Sequence, residues 1–221
     1  MEAKLGNLQP NANSNFARQT PRLIAIVGGS GAGKSWLAAR LQEILGKESA
    51  LLSSDDFYRD RSHLSAAQRA RVNFDHPRAI DWPLLESVLA ECIGGNPVRL
   101  PRYDFTQHRR LSPGRFWRPR PLVFVEGLWL LRRPALRRCF SLSVFVDCAE
   151  HLRLKRRLQR DIRERGRTKD SIRFQFRKTV APMHARFIAS QARWADIRLT
   201  GRISARKVKK LAERVRALVV K

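Results

Sequence analysis

Residues Val27 to Ser35 read VGGSGAGKS, and no other stretch constrains the fold of this chain as tightly. Gly28, Gly29, Gly31 and Gly33 leave the turn almost without side chains, so the elements on either side must hold it in place. Before it, RLIAIV (22–27) is an apolar run that predicts a buried strand. After it, SWLAARLQEIL (35–45) has helical spacing and stops at Gly46, a helix-ending residue. A glycine turn between a strand and a helix start points backbone amides at a common centre, which suits an anion. The spacing of Gly28, Gly33, Lys34 and Ser35 fits G-x-x-x-x-G-K-[ST]. In such a loop the amides of Gly28, Gly29, Ser30, Gly31, Ala32, Gly33, Lys34 and Ser35 wrap a nucleotide's phosphates. Lys34 reaches the β- and γ-phosphates, and the Ser35 hydroxyl suits Mg²⁺.

The rest of the chain alternates in type. ALLSS (50–54) predicts a second strand, and DWPLLESVLAECI (81–93) a helix capped by Asp81 and closed by Gly94 and Gly95. PLVFVEG (121–127) and LSVFVD (142–147) are unbroken β-rich runs, as expected of strands covered on both faces. Helices are predicted over 149–165, 169–192 and 203–219, with a short strand over 196–201. The expected fold class is α/β, a parallel sheet with helices on both faces. Residues 1–20 read as a loose polar tail without an apolar leader, and 21–221 as one domain. No run of about 18 apolar residues offers a membrane span. Cys92, Cys139 and Cys148 form no CxxC pair, and a reduced, cytoplasmic setting is expected for them.

The chain carries 45 Lys and Arg against 19 Asp and Glu, a net charge of +26. That balance attracts polyanions, whether nucleic acid or phosphorylated small molecules, and does not choose between them. The basic residues are spread through predicted helices rather than gathered in a tail. Glu126 ends a predicted strand, where a carboxylate can hold Mg²⁺ or its water shell. Nucleotide and magnesium are thereby indicated, with kinase and ATPase both open; no [NT]KxD signal for guanine is present. Three further segments, SSDDFYRD (53–60), NFDHPRAIDW (73–82) and PRYDFTQHRR (101–110), each mix acids, aromatics and a His or Arg. Such a mixture suits a pocket that stacks a flat ring and hydrogen-bonds a sugar. A carboxylate just after the second strand can take the proton of an attacking hydroxyl.

GGSGAGKS, SSDDFYR, NFDHP, YDFTQHRR, VFVEG and RDIRERGR occur in that order over about 22–200, and in this the chain resembles the uridine–cytidine kinases, within the uridine kinase and phosphoribulokinase group of P-loop kinases. The resemblance implies a nucleoside-kinase-like P-loop fold with a helical, arginine-rich lid over about 155–170. It implies transfer of the γ-phosphate of ATP, with Mg²⁺, to the 5′-hydroxyl of uridine or cytidine. Asp55, rather than its neighbour Asp56, falls on the catalytic acid position. Asp75 falls on the position for the sugar hydroxyls, Tyr103 and His108 on those that read the pyrimidine edge, and Tyr58, Phe74 and Phe105 on aromatic walls. Arg157, Arg160, Arg165 and Arg167 match arginines that clamp phosphates or sugar when the lid closes, a task for which the guanidinium fork is suited. Of these, Arg160 is expected on the donor nucleotide, Arg157 on the acceptor, and Arg165 and Arg167 at the transferring group, Arg167 also touching the acceptor. Gln175 matches a further substrate contact. Homo-oligomerisation is implied by the resemblance alone. Related kinases acting on nicotinamide riboside, pantothenate or ribulose 5-phosphate are the nearest rivals; the aromatic and histidine content of YDFTQHRR favours a nucleoside over a sugar phosphate or a pantothenate. A basic nucleic-acid-binding ATPase is the rival from another class, so nucleic-acid affinity is expected from charge but not as the function. Arg132, Arg133, Arg137 and Arg138 lie outside every motif.

Overall fold

A computed structural model describes residues 20–219; the tail assigned to 1–20 therefore falls, but for Thr20, outside the described residues. In chain order the elements are β1 (Arg22–Gly28), α1 (Lys34–Leu45), β2 (Ser49–Ser53), α2 (Ala66–Ala70), α3 (Trp82–Ile93), β3 (Val98–Asp104) and β4 (Arg109–Trp117). They continue as β5 (Leu122–Gly127), α4 (Pro134–Cys139), β6 (Phe140–Val146), α5 (Glu150–Arg165), α6 (Lys169–Gln175), α7 (Ala181–Met183), β7 (Ile197–Leu199) and α8 (Ala205–Arg216). Five strands form one parallel sheet in the order β2-β5-β1-β6-β7, as the alternation of elements predicts.

The strand runs are apolar throughout because both faces of the sheet are covered. In β1, Leu23, Ala25 and Val27 point into one core, with Phe57, Trp129 and Leu89. Ile24 and Ile26 point into the other, with Leu37 and Leu41 of α1 and Leu211 and Val215 of α8. The period of two along a strand distributes its side chains this way. Each large side chain so buried contributes about 1.5–3 kcal/mol. Val208, Leu211, Ala212 and Val215 recur at helical spacing, which turns one face of α8 toward α1. Among the described residues no helix is long and apolar enough to cross a membrane.

Two features depart from the sequence reading. The segment 101–110 is not loop alone: β3 and β4 form an antiparallel hairpin outside the main sheet. Asp104 turns it, accepting from the Thr106 amide (2.8 Å) and hydroxyl (2.6 Å) and the Gln107 amide (3.1 Å). Arg110 ties the hairpin down, donating to the Tyr58 carbonyl (2.9 Å) and to Asp81 (3.2 Å). The second departure lies in 169–192, which is not one α-helix. After α6 it runs π-helical over Phe176–Val180, returns to α for one turn, is π-helical again over His184–Ile188, and ends as a 3₁₀-helix over Ala189–Trp194. Pro182 lies at the centre of this sequence and has no N–H for the regular ladder.

Candidate active site

The register of the parallel sheet levels the ends of three strands. Glu126 in β5 stands beside Ile26 of β1 on one side and Ser53 of β2 on the other. The glycine loop leaves β1 two residues further on, and Asp55 follows β2 by two, so loop, Asp55 and Glu126 converge at the carboxyl edge of the sheet. That edge is where open α/β sheets receive ligands. Gly127 allows the close approach of the turn after β2: a Cβ there would stand 2.2 Å from the Ser54 hydroxyl.

A cleft of about 920 Å³ opens at this edge. Ser30, Gly31, Gly33, Lys34 and Ser35 line one end. Gly31 has φ +77°, and a Cβ on it would meet the Arg153 carbonyl oxygen at 2.4 Å, so only glycine fits. Gly28, Gly29 and Ala32 do not line the cleft. Gly28 and Ala32 sit together near Val146, and Gly29 backs onto Arg153 and His184, so these three support the loop from behind. Lys34 Nζ folds back to the Gly29 carbonyl at 3.4 Å. The Ser35 hydroxyl donates to the Glu126 carboxylate, 2.8 and 2.9 Å from its two oxygens. Burial raises the Glu126 pKa, against the pull of Lys34 and the Ser35 bond. A hydroxyl facing a carboxylate is a hard-oxygen donor pair fit for a divalent cation. Among the described residues no cluster of three His, Cys, Asp or Glu is placed to hold a metal by itself.

The opposite end is aromatic and acidic. Tyr58 stands at its centre, 5.6 Å from Phe74, 5.3 Å from Tyr103 and 6.2 Å from Phe105, ring centre to ring centre. His108 stacks on Phe74 at 4.3 Å with 15° between the planes. To do so it adopts φ 53°, a left-handed conformation that a side chain rarely takes and that concentrates at functional positions. Asp55 lines the cleft and Asp56 does not. Burial first, then Asp55, push the Asp56 pKa up to about 6. Asp75 lies beside the Thr179 hydroxyl at 2.9 Å, and burial raises its pKa against the pull of Arg157. Three buried polar atoms that face this region have no hydrogen-bond partner among the described residues: Asp55 Oδ1, Tyr103 Oη and His108 Nδ1. Burial pushes the Tyr103 phenol up to about 12, so it remains a donor. Burial and then Arg165 hold His108 below its ordinary value, so the ring stays neutral, with one donor and one acceptor nitrogen.

The third wall is α5 and the turn after it. Arg157, Arg160, Arg165, Arg167 and Gln175 all line the cleft. Arg157 donates to the Ser30 hydroxyl and to Gln175 Oε1, both at 2.9 Å, and so joins the glycine loop to α6. Arg165 lies 5.6 Å over the Phe105 ring, linking this wall to the hairpin. Sequence reasoning missed the residue that gathers these side chains. Asp161 is fully buried, and Arg157 (3.3 Å), Arg160 (2.8 Å), Arg165 (3.8 Å) and Arg167 (3.8 Å) converge on its two oxygens. Its spacing is the legible signal, four residues after Arg157 and four before Arg165. Arg153 was also missed. It is buried, its Nε donates to the Cys148 carbonyl at 3.2 Å, and its guanidinium lies 5.7 Å over the Phe176 ring, behind Gly29.

The site therefore has a phosphate end, an aromatic and carboxylate end, and a basic wall over both. Known proteins share this chain's sequence family and its fold. The model of the Phosphoribulokinase / Uridine kinase family matches residues 23–209. The chain is 41% identical over 178 residues to a uridine kinase of Deinococcus deserti, covering 80% of this chain and 86% of that one. It is 42% identical over 182 residues to a uridine kinase of Chloroflexus aggregans, with coverage of 82% and 87%. Two solved structures share the fold. Phosphoribulokinase from Rhodobacter spheroides has a TM-score of 0.56 at 18% identity, over 81% of this chain and 70% of that one. D-glycerate 3-kinase from Cryptococcus neoformans has a TM-score of 0.57 at 18% identity, over 76% and 79%.

Proposed function

This chain belongs to the phosphoribulokinase/uridine kinase family, and we propose that it moves the γ-phosphate of ATP to the 5′-hydroxyl of uridine or cytidine. The observation that carries the choice of acceptor is the set of partnerless buried atoms Asp55 Oδ1, Tyr103 Oη and His108 Nδ1 in one cleft with the glycine loop. A phenol that donates and a neutral imidazole that both donates and accepts match the mixed polar edge of a pyrimidine. Phe74, Phe105 and Tyr58 supply flat walls for its faces. Asp75 is the partner for the sugar hydroxyls.

In this reading the acceptor's 5′-oxygen attacks the γ-phosphorus, its proton passes to Asp55, and the bond from the γ-phosphorus to the β–γ bridging oxygen breaks to leave ADP. Lys34 and the loop amides hold the β- and γ-phosphates, and Arg160 the donor. Arg165 and Arg167 stabilise the charge that spreads over the transferring oxygens. Ser35 and Glu126 would hold Mg²⁺, which when bound neutralises charge on the donor phosphates. Residues about 155–170 act as the lid, and their closure over the cleft excludes water that would otherwise take the phosphate.

Incubation with MgATP and a panel of nucleosides, pantothenate and sugar phosphates, read by mass, tests the assignment. UMP and CMP should form. Phosphorylation of another acceptor with uridine and cytidine inert would refute it. Asp55→Asn should bind ATP as before and lose transfer by about 10²-fold or more.

A further inference from the structure

The arginines that the cleft does not use gather on another face, around α4 and the segment 184–194. The Arg132 and Arg186 guanidinia lie 4.8 and 5.0 Å from the centre of the Phe187 ring. Those of Arg137 and Arg193 lie 4.5 and 4.4 Å from that of Trp194. Arg133 lies 5.4 Å from Trp82. Five of the nine such pairs among the described residues lie here. The pairs adjoin one another: Phe187, Trp194 and Trp82 pack against the same core cluster. Arg137 donates to the carbonyls of Leu131 (2.8 Å) and Arg132 (3.4 Å), which fixes its guanidinium between the groups.

Glu86 pairs with Arg133 at 2.5 Å, while Arg132, Arg137, Arg186 and Arg193 form no ion pair among the described residues. His76, whose ring meets Phe187 at 4.9 Å, feels the resulting field: burial first, then Arg78, Arg186 and Arg132, hold it below its ordinary value. A second copy of this chain would bring the same positive charge against it, so self-association on this face is opposed.

We propose that this face binds single-stranded nucleic acid. Guanidinia held over aromatic rings, with no carboxylate among the described residues paired to Arg132, Arg186 or Arg193, offer cations for phosphates beside ring faces on which unpaired bases stack. None of these arginines lines the active-site cleft, so the surface is independent of phosphoryl transfer.

The test is fluorescence anisotropy with a labelled oligouridylate of roughly 20 nucleotides, titrated over a range of salt. The variant Arg132→Ala/Arg186→Ala/Arg193→Ala removes three contacts. Its affinity should fall at least about tenfold, and the slope of log affinity against log salt should flatten by about 2. The same loss in Arg186→Gln/Arg193→Gln, in smaller measure, guards against misfolding of the triple variant. Arg202→Ala/Arg206→Ala/Arg214→Ala removes equal charge from the α8 side and should change affinity less than about twofold. Kinase turnover should be unchanged in all of them. Equal losses in the two triple variants would refute the proposal, since diffuse charge would then suffice. So would polyglutamate competing as well as RNA, or no binding at about 100 mM salt.

Discussion

Asp161→Asn removes one charge from the centre of the basic wall and changes almost no volume. Arg157 and Asp161 pair at 3.3 Å with side chains 6% and 0% exposed, so the substitution removes one of the two carboxylates that offset a buried guanidinium, the other being Asp75. Breaking a buried pair in this way costs about 3–5 kcal/mol. The contact sits at the lower end, because Arg157 Nε and Asp161 Oδ2 are close but not aligned as a hydrogen bond. Arg160, Arg165 and Arg167 are 35%, 37% and 28% exposed and can turn toward water, so each adds no more than a surface pair, about 0–1 kcal/mol. The expected loss is therefore about 3 kcal/mol, or about 6–12 °C in Tm for a chain of this size. Thermal unfolding followed by circular dichroism reads it. Adding Arg157→Met should restore part of the loss, because the buried guanidinium that lost a carboxylate is then gone. A Tm change under about 2 °C, or losses that simply add in the double variant, would refute the reasoning. The same variant should lose transfer rate more than donor binding, since the guanidinia lose the carboxylate that orients them.

Asp56→Asn should stabilise the protein at pH 8 and have little effect near pH 4. The folded pKa of about 6 lies above the ordinary 3.8, so the wild-type carboxyl favours folding while it is protonated, and that favour is lost as pH rises from 3.8 through 6. Tm of both proteins across this range decides it; a stabilisation largest at low pH would contradict the sign. Gly31→Ala should weaken ATP at least about tenfold, since a left-handed conformation costs a side chain about 1–2 kcal/mol and the new methyl meets the Arg153 carbonyl. Calorimetric titration of ATP reads this, and unchanged affinity would show that the loop tolerates a shift.

Much of the site was legible because its signals are local. The glycine loop, its strand and its helix occupy one continuous stretch, and the period of the strands and the caps at Asp81 and Gly94 lie within a few residues. Glu126 was reached because it closes an apolar run, and Asp55 because it follows the second strand within a motif that resembles the uridine–cytidine kinases. The β3–β4 hairpin was not found, because Pro101 and Pro113 interrupt its alternation and its register slips between Leu100 and Arg102. The single α-helix expected over 169–192 gives way to π-helical turns on either side of Pro182, which removes a ladder donor. Asp161 and Arg153 were missed because an acid in an arginine-rich helix, or one more arginine, reads as a solvated surface residue.

The sequence by itself determined that a phosphate loop opens a parallel α/β sheet and that several acids and aromatics follow it, because strand period, helix period and glycine turns depend on neighbours along the chain. Only the tertiary structure decided which carboxylate gathers four arginines. It also decided how the remaining arginines divide between the cleft and the Phe187–Trp194 face. Those outcomes depend on burial and on charges brought together from distant segments, and neither is a property of the local sequence.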